Sequence, residues 1–187
     1  MKVCTATLKS VSPYSQSRQH DTEKTDKEGH DDYEKRTWRN KLHTAADGRV
    51  FIPPMAFKEA VTAAAKFLGL KIPGKRNATW TKHFVAGVLV TDGLQLPVKA
   101  DDVPGEWLNV NSDGVKGSGK RVKRCFPRID QWGGPVTFYI ADDTITKDVF
   151  EHHLREAGRF VGIGRFRPEK GGFYGRFEVA SAEWSEA

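Results

Sequence analysis

The sequence has few of the features that mark membrane, secreted or metal-binding proteins. Its 187 residues include two cysteines, Cys4 and Cys125, which lie far apart and outside any CxxC spacing. One disulfide would be possible, but two buried free thiols fit this pattern better. No apolar run reaches the roughly 18 residues of a transmembrane helix. The first residues lack the apolar segment of a signal peptide, so we expect a cytoplasmic protein without a membrane partner.

Sequence motifs for catalysis and cofactor binding are missing as well. No Cys/His set has the spacing of a zinc site. The chain contains no Walker P-loop, HExxH or GxSxG motif. We therefore expect no metal and no other cofactor, and a protein that is not an enzyme, although the sequence leaves enzymatic activity open.

The charge is not strongly one-sided, but it is unevenly distributed. Lys and Arg number 30 against 24 Asp and Glu, a formal net charge of +6. Residues 71–82, 116–128 and 159–176 hold most of the basic excess. Residues 15–43, in contrast, have equal numbers of basic and acidic side chains. Because a polyanion responds to local charge, this distribution is more informative than the sum.

Hydrophobic periodicity predicts an α+β fold. Strands are expected at residues 2–11, 49–52, 83–91, 135–140 and 173–179, and helices at residues 53–68 and 146–157. The core order of strand, helix, strand, strand, helix, strand is that of a ferredoxin-like or RRM-like βαββαβ domain. A doubly wound parallel sheet would need more helices than the sequence offers.

Two long insertions interrupt this core, and we expect one RRM-like domain over residues 1–187. The first insertion, residues 15–48, is charged and poor in apolar side chains, so we expect it to be mobile, with a short helix possible at residues 31–42. The second, residues 94–134, is basic. It is expected to contain a hairpin with arms at 106–110 and 121–129 and a flexible tip at 117–119.

The segment after the second predicted helix carries the strongest binding signal. Residues 158–177 interleave six glycines with four arginines, one lysine and five aromatics. Glycine lets backbone N–H groups approach phosphates, arginine pairs with phosphate oxygens, and aromatic faces stack on bases. The alternative is a Gly-rich turn whose arginines are merely solvated. The candidate nucleic-acid-binding residues here are Gly162, Gly164, Arg165, Arg167, Lys170, Gly171, Gly172, Tyr174, Gly175 and Arg176.

Two further basic segments are candidates for phosphate contacts. Residues 115–128 contain no acid, and an arm with cations on one face suits a phosphate backbone, although a solvated hairpin is the alternative. Its candidate residues are Lys116, Lys120, Arg121, Lys123, Arg124 and Arg128. In residues 71–83, Lys75, Arg76 and Lys82 surround Trp80, which is either a stacking platform or an anchor of the loop on the core.

Two stretches resemble the RAMP superfamily, the RNA-binding proteins of CRISPR systems that include effector backbone subunits and guide-processing endoribonucleases. Residues 51–60, FIPPMAFKEA, are similar to the entry into that family's first helix. Residues 162–175 are similar to its Gly-rich loop before the last strand. The resemblance implies a groove for guide RNA between the Gly-rich loop and the first helix, with residues 116–128 in a thumb-like hairpin.

We therefore expect a non-enzymatic protein that binds RNA or another single-stranded nucleic acid. One alternative is a protein-interaction module that docks on a CRISPR-type ribonucleoprotein, mimics one of its subunits as an inhibitor or assembly factor, or assembles with copies of itself. Its anchors would be Trp38, Trp107 and Trp132. Another alternative is a RAMP-type endoribonuclease, in which the best histidine candidate for a general base is His43.

Overall fold

The computed structural model of the protein describes residues 1–117 and 119–187. Ser118, in the expected flexible tip, lies outside the described residues. The strands are β1 (Lys2–Ser10), β2 (Arg49–Ile52), β3 (Val88–Leu89), β4 (Leu94–Lys99), β5 (Gly105–Asn111), β6 (Arg121–Pro127), β7 (Gly133–Ile140) and β8 (Phe177–Glu186). The α-helices are α1 (His30–Thr37), α2 (Pro54–Leu68), α3 (Thr81–Gly87) and α4 (Lys147–Glu156).

The central feature is a four-stranded sheet in the order β3-β7-β1-β8. Strand β1 pairs antiparallel with β7 on one side and β8 on the other, and β3 pairs antiparallel with β7. Two interleaved units result: β1, α2 and β3 flank β7, while β7, α4 and β8 flank β1. This is the split βαβ arrangement of the ferredoxin-like fold. The α+β prediction is confirmed, and a parallel, doubly wound sheet is excluded.

The core lies between this sheet and the two long helices. In β1, Cys4, Ala6 and Leu8 alternate with more exposed residues, so one face of the strand is buried. Helix α2 buries Phe57, Val61 and Ala64 on the stripe that its sequence predicts, and Gly69 ends it with φ of 55°. The remaining apolar face of the core comes mainly from α4. Its buried members are Phe150, His153 and Leu154.

The strand expected at residues 83–91 is wrong for most of its length. The chain forms α3 there, and β3 is only two residues long. Trp80, Phe84 and Gly87 are buried at helical spacing, while Val85 is exposed. A short apolar run fits the helical period and the strand period equally well, so the sequence pattern does not distinguish the two. A Cβ on Gly87 would overlap the Cβ of Asp142. Glycine therefore lets the helix end close to the chain that follows β7.

The last strand lies further along the chain than residues 173–179. It spans Phe177–Glu186, and its pairing with β1 shifts register between Thr7 and Leu8, where Ala180 is the extra residue. This β-bulge breaks the period-2 pattern from which a strand is predicted. The helix before it also runs beyond the expected stop at Gly158, because a π-turn continues over Ala157–Val161.

The second insertion contains an additional strand that periodicity did not indicate. Strand β4 pairs antiparallel with β2 in a separate two-stranded sheet. The expected hairpin is confirmed as β5 and β6. Trp38 and Trp132 are buried, so their expected role as exposed anchors is wrong, whereas Trp107 is 45% exposed. No helix of the described residues is both long and apolar enough to span a bilayer.

The buried His153 makes the stability of this core sensitive to pH. Its Nδ1 bonds to the Val149 carbonyl oxygen at 2.7 Å, while its Nε2 is buried without a partner among the described residues. Burial lowers the pKa of His153 from its ordinary value of 6.5, and burial lowers that of His43 in the same sense. The unfolded chain therefore binds a proton more readily than the folded one.

We expect full stability above the ordinary pKa of 6.5 and a progressive loss as the pH falls below it toward the lowered pKa of the folded protein. His153→Leu should reduce the fall in thermal midpoint between about pH 7.5 and pH 5, as measured by calorimetry. His152→Leu, on the exposed side of the same helix, should retain most of the wild-type slope, because the charge of His152 contributes least to the lowered pKa of His153. Equal slopes in all three proteins would refute the role of His153.

Candidate nucleic-acid interface

The basic hairpin projects cations from both of its faces. Strands β5 and β6 pair antiparallel from Gly105 opposite Pro127 to Asn111 opposite Arg121. Because side chains alternate, Arg121 and Lys123 lie on one face, and Arg124 lies on the other with Phe126. The sequence predicts an arm with its cations on one face, but the structure places them on both faces. Within the described residues, Arg121 and Lys123 have no carboxylate partner, nor have Lys116 and Lys120.

A buried ion pair from the first insertion covers the outer edge of β6. Glu34 and Lys41 are 2% and 6% exposed and bond to each other. The Cys125 N–H donates to Glu34 Oε1 at 2.8 Å, and Lys41 Nζ donates to the Cys125 carbonyl oxygen at 2.7 Å. One turn earlier in α1, His30 bonds to the Lys123 carbonyl oxygen at 3.3 Å. The insertion thus satisfies the backbone groups of an edge strand and fixes the hairpin in place.

Other contacts tie down the rest of the first insertion. Tyr33 donates from its hydroxyl to the Thr22 carbonyl oxygen at 2.7 Å, and Arg36 binds Glu28 at 2.8 Å. The Gln16 side chain donates to the Phe51 carbonyl oxygen and accepts from the His43 N–H. The short helix considered for this segment is present as α1, followed by a 3₁₀ turn at Trp38–Lys41. Mobility of residues 15–48 stays a prediction.

Four of the five glycines of the Gly-rich loop, residues 162–175, are explained by close packing inside the chain, and the fifth, Gly171, has a positive φ of 83°. A Cβ on Gly175 would overlap the Ile163 carbonyl oxygen, and one on Gly164 would overlap Ser15 and Tyr14. The N–H groups of the loop are largely used as well. Internal carbonyl oxygens accept from the N–H groups of Gly162, Ile163, Arg165, Lys170, Gly171, Gly172, Tyr174 and Gly175. Phosphate contacts from this loop would therefore depend chiefly on its side chains.

Glu106 of β5 joins the Gly-rich loop to the hairpin. The Tyr174 hydroxyl donates to Glu106 at 2.9 Å, and Arg128 and Arg165 approach the same carboxylate at 3.5 and 3.9 Å. Burial, followed by the bond to Glu106, raises the pKa of Tyr174. Because Tyr174 is buried, its ring has little free face for a base. Arg128 also binds Asp130 at 2.7 Å, so its charge is largely balanced within the protein.

Arg165 occupies an unusual position between the loop and the hairpin. Its guanidinium carbon lies 3.9 Å from the centre of the Phe126 ring, and its Nε donates to Ser15 Oγ at 3.1 Å. Burial lowers the pKa of Arg165, and its buried Nη2 has no hydrogen-bond partner among the described residues. The side chain is thus held rigidly while part of its hydrogen-bonding capacity remains unused.

A cavity of about 710 Å³, here called the hairpin groove, lies between the hairpin and the Gly-rich loop. Among its described lining residues, five are cationic and one is a carboxylate, Asp113. The cations are Lys41, Lys116, Arg121, Arg124 and Arg165. The exposed ring of Phe166 lines the same cavity. The arrangement combines clustered positive charge with an accessible aromatic face, which suits a single-stranded polyanion.

A second cavity of about 550 Å³, here called the helix groove, lies between α2 and the Gly-rich loop. Pro53 at the start of α2 and Ala56 and Ala60 within it line one side, and Gly164 and Arg167 line the other. The two grooves share Ser17 and Arg165. A third cavity of about 300 Å³, lined by Ser17, Arg18, Lys41 and Arg124 among others, adjoins both. All three cavities have Ser17 in their linings.

The sequence-predicted binding residues separate into two groups. Lys116, Arg121, Arg124, Gly164, Arg165 and Arg167 line the grooves. The linings of both grooves do not include Lys75, Arg76 or Lys82, which are exposed, or Trp80, whose 5% exposure favours its role as a core anchor. Further predicted residues outside both linings are Lys120, Lys123, Arg128, Gly162, Lys170, Gly171, Gly172, Tyr174, Gly175 and Arg176.

Sequence reasoning missed several residues of the grooves, four of which matter for binding. Arg18 and Lys41 come from the segment whose charges balance, and Ser17 precedes them in the same segment. Phe166 was part of the Gly/Arg/aromatic pattern but was not singled out. A segment with balanced charge gives no signal for Ser17, Arg18 or Lys41, and five aromatics in one stretch do not show which ring lines a groove. Both placements depend on how the loops fold.

The described residues include no group of three or more His, Cys, Asp or Glu side chains arranged to hold a metal ion. His43 lines the helix groove and packs against Phe51 with ring centres 5.6 Å apart. His83 instead bonds to Asp142 at 2.6 Å, outside both groove linings. Of the six histidines, His43 is therefore the one placed at the Gly-rich loop.

Comparison with known proteins yields similar backbones but no family. No family model and no curated protein matches the chain. The crystal structure of Cmr6 from Pyrococcus furiosus matches with 14% identity and a TM-score of 0.49, over 96% of this chain and 99% of that one. A chain of a CRISPR RNA-guided surveillance complex matches with 12% identity and a TM-score of 0.41, over 97% and 68%. At these values neither match assigns a family or an activity, and the resemblance to the RAMP superfamily stays a prediction.

The buried ion pair gives a direct test of how the hairpin is held. Lys41→Met leaves the Glu34 carboxylate buried without its cation and should cost about 3–5 kcal/mol of unfolding free energy. Glu34→Leu/Lys41→Met should recover part of this loss, because no isolated charge remains. The measurement is chemical denaturation.

The control is Lys35→Met in α1, the helix that carries Glu34. It removes an exposed pair with Asp32 at 3.8 Å and should change the free energy of unfolding by less than about 0.5 kcal/mol. A loss for Lys41→Met as small as that of the control would contradict the structural role assigned to the pair.

Proposed function

We propose that the protein binds single-stranded RNA, or another single-stranded nucleic acid, along the depression formed by the hairpin groove and the helix groove. The observation that carries this proposal is the lining of the hairpin groove. Five cations line this cavity, of which Lys41 is paired with Glu34 and Arg165 lies 3.9 Å from Glu106. The other three, Lys116, Arg121 and Arg124, have no carboxylate partner among the described residues. Close grouping of like charges raises the electrostatic energy of the folded chain, and a bound polyanion would relieve it.

The pairing of the cations supports this assignment. Arg167 binds Glu169 at 2.9 Å and Arg128 binds Asp130, so these two are largely balanced inside the protein. Lys116 and Arg121 have no carboxylate partner among the described residues and are exposed. The charge available to a ligand is therefore concentrated at the hairpin. A phosphate there would release counterions, which makes binding dependent on salt.

The shape of the surface favours a flexible strand over a compact ligand. Three cavities that share Ser17 are lined by residues of the hairpin at one end and of the first half of α2 at the other. Single strands follow such grooves because their backbone bends and their bases are free to stack. The placement agrees with the groove that the RAMP resemblance implies. Association with a CRISPR-type ribonucleoprotein, or with copies of this chain, belongs to the proposal as well. Co-purification of a protein partner tests it.

The first test measures binding of a fluorescently labelled single-stranded RNA at several salt concentrations. Wild-type affinity should fall steeply with salt. Lys116→Ala/Arg121→Ala should weaken binding and reduce the slope of log K against log salt by about 1.4, since each phosphate contact of a single strand contributes about 0.7.

The matched control, Lys75→Ala/Arg76→Ala, removes the same charge from the loop before α3, outside both grooves. It should leave the slope unchanged. If both double variants weaken binding equally, net charge rather than the groove carries the affinity. If the wild type shows no binding at low salt, the proposal fails. A protein partner that co-purifies and remains bound after nuclease treatment would favour the protein-interaction alternative instead.

Endoribonuclease activity is a second candidate because of where His43 lies. Its ring lines the helix groove beside Arg18, and burial followed by the charge of Arg18 lowers its pKa. A neutral imidazole at pH 7 can act as a general base toward a ribose 2′-hydroxyl. This activity would be lost in His43→Ala and retained in His152→Ala. Intact RNA after long incubation with the wild type would eliminate it.

A further inference from the structure

Phe166 adopts a backbone conformation that side chains rarely tolerate. Its φ is 58°, in the left-handed region, and among the described residues Lys27 is the other non-glycine with positive φ. Lys27 lies in an exposed polar turn, whereas positive φ in a bulky residue is a genuine outlier. A bulky aromatic residue there carries a conformational cost, and such a cost persists only where neighbouring structure imposes it.

The rest of the Gly-rich loop holds Phe166 in this conformation. The Tyr174 N–H donates to the Phe166 carbonyl oxygen at 3.0 Å. A Cβ on Gly172 would overlap that same carbonyl oxygen. Glycine is therefore required for the two segments of the loop to come this close. The rings of Phe173 and Tyr174 meet the Phe166 ring edge-on at 5.6 and 5.7 Å. The loop therefore fixes both the backbone and the ring plane of Phe166.

This strained conformation does not bury the ring. Phe166 is 45% exposed and lines the hairpin groove, whose lining also includes Arg165, Arg124 and Lys116. Exposing an apolar ring forgoes the gain in free energy that its burial would give. Phe166 thus combines two unfavourable contributions to the free energy of folding, a strained backbone and an exposed ring, in a cavity whose lining includes several cations.

We propose that Phe166 is the base-stacking platform of the hairpin groove and that the ligand is a nucleic acid with an unpaired base at this point. The inference rests on the proposed nucleic-acid binding and adds the ligand class, a strand whose bases are accessible rather than a duplex. The ring takes the face of one base, while Arg121 and Lys116 take flanking phosphates. Tyr174, the residue expected from sequence, supports the ring from behind instead of stacking.

The test compares oligouridine with the same oligomer carrying one abasic position, by fluorescence anisotropy. Phe166→Ala should lower the affinity for oligouridine about 5- to 150-fold, the usual range for the loss of one base–aromatic stack. Phe166→Tyr, which keeps the aromatic face, should restore most of it. Phe160→Ala, which removes a ring of similar exposure outside both groove linings, should change affinity less than twofold. The full set of variants should bind an RNA duplex weakly and to the same extent.

A stability measurement separates this role from a structural one. Phe166→Gly removes the backbone strain, so its thermal midpoint should not fall by more than that of Phe173→Gly, although its oligouridine affinity falls as in Phe166→Ala. If the wild type binds oligouridine but Phe166→Ala binds equally well, the stacking inference is overturned and the proposed function stands. If the wild type binds neither oligomer nor duplex, both are overturned. Loss of affinity that merely follows loss of folding across all of these variants would also overturn the inference.

Discussion

The hairpin depends on the buried pair of Glu34 and Lys41 at the outer edge of β6. Removing two charges from water is costly, and their mutual attraction offsets this cost only when further hydrogen bonds satisfy the remaining groups. Here the Cys125 N–H and carbonyl supply those bonds, and the pair in turn satisfies an edge strand that would otherwise be open. The charged insertion, which composition alone suggests to be solvated, therefore forms one wall of the hairpin groove and determines where the basic arm points.

The same principle sorts the other cations of the molecule. Arg165 and Arg128 surround Glu106, and their charge serves to attach the Gly-rich loop to β5. Lys116 and Arg121 have no such partner among the described residues. Residues of the same type in neighbouring basic segments thus have different consequences, because a cation that is already paired has little free energy left to give to a phosphate. A basic patch is defined by unpaired charge, and only the folded structure shows which charges those are.

The sequence predicts what depends on local periodicity and misses what depends on contacts between distant segments. Strands β1 and β7 and helices α2 and α4 follow from their periods and supply most of the ferredoxin-like core. The β5–β6 hairpin, which lies outside that core, follows from its turn residues. Residues 83–91 were misassigned because a short apolar run fits both periods, and β8 because the bulge at Ala180 breaks its alternation. The pairing of Glu34 with Lys41 left no signal in a segment of balanced charge. Likewise, the burial of Trp80 and Tyr174 depends on the tertiary fold.

The glycines of the Gly-rich loop acquire a different meaning from the one their composition suggests. They were expected to bring backbone N–H groups to phosphates, but most of those N–H groups are bonded within the chain. Their absent side chains instead allow the loop to fold tightly upon itself, as at Gly172 against Phe166 and Gly175 against Ile163. A loop packed this closely can impose a left-handed conformation on a phenylalanine, which a flexible glycine-rich loop could not do. Rigidity, rather than backbone flexibility, is thus the property by which these glycines can contribute to binding, because a ring held in place loses little conformational entropy when a base stacks on it.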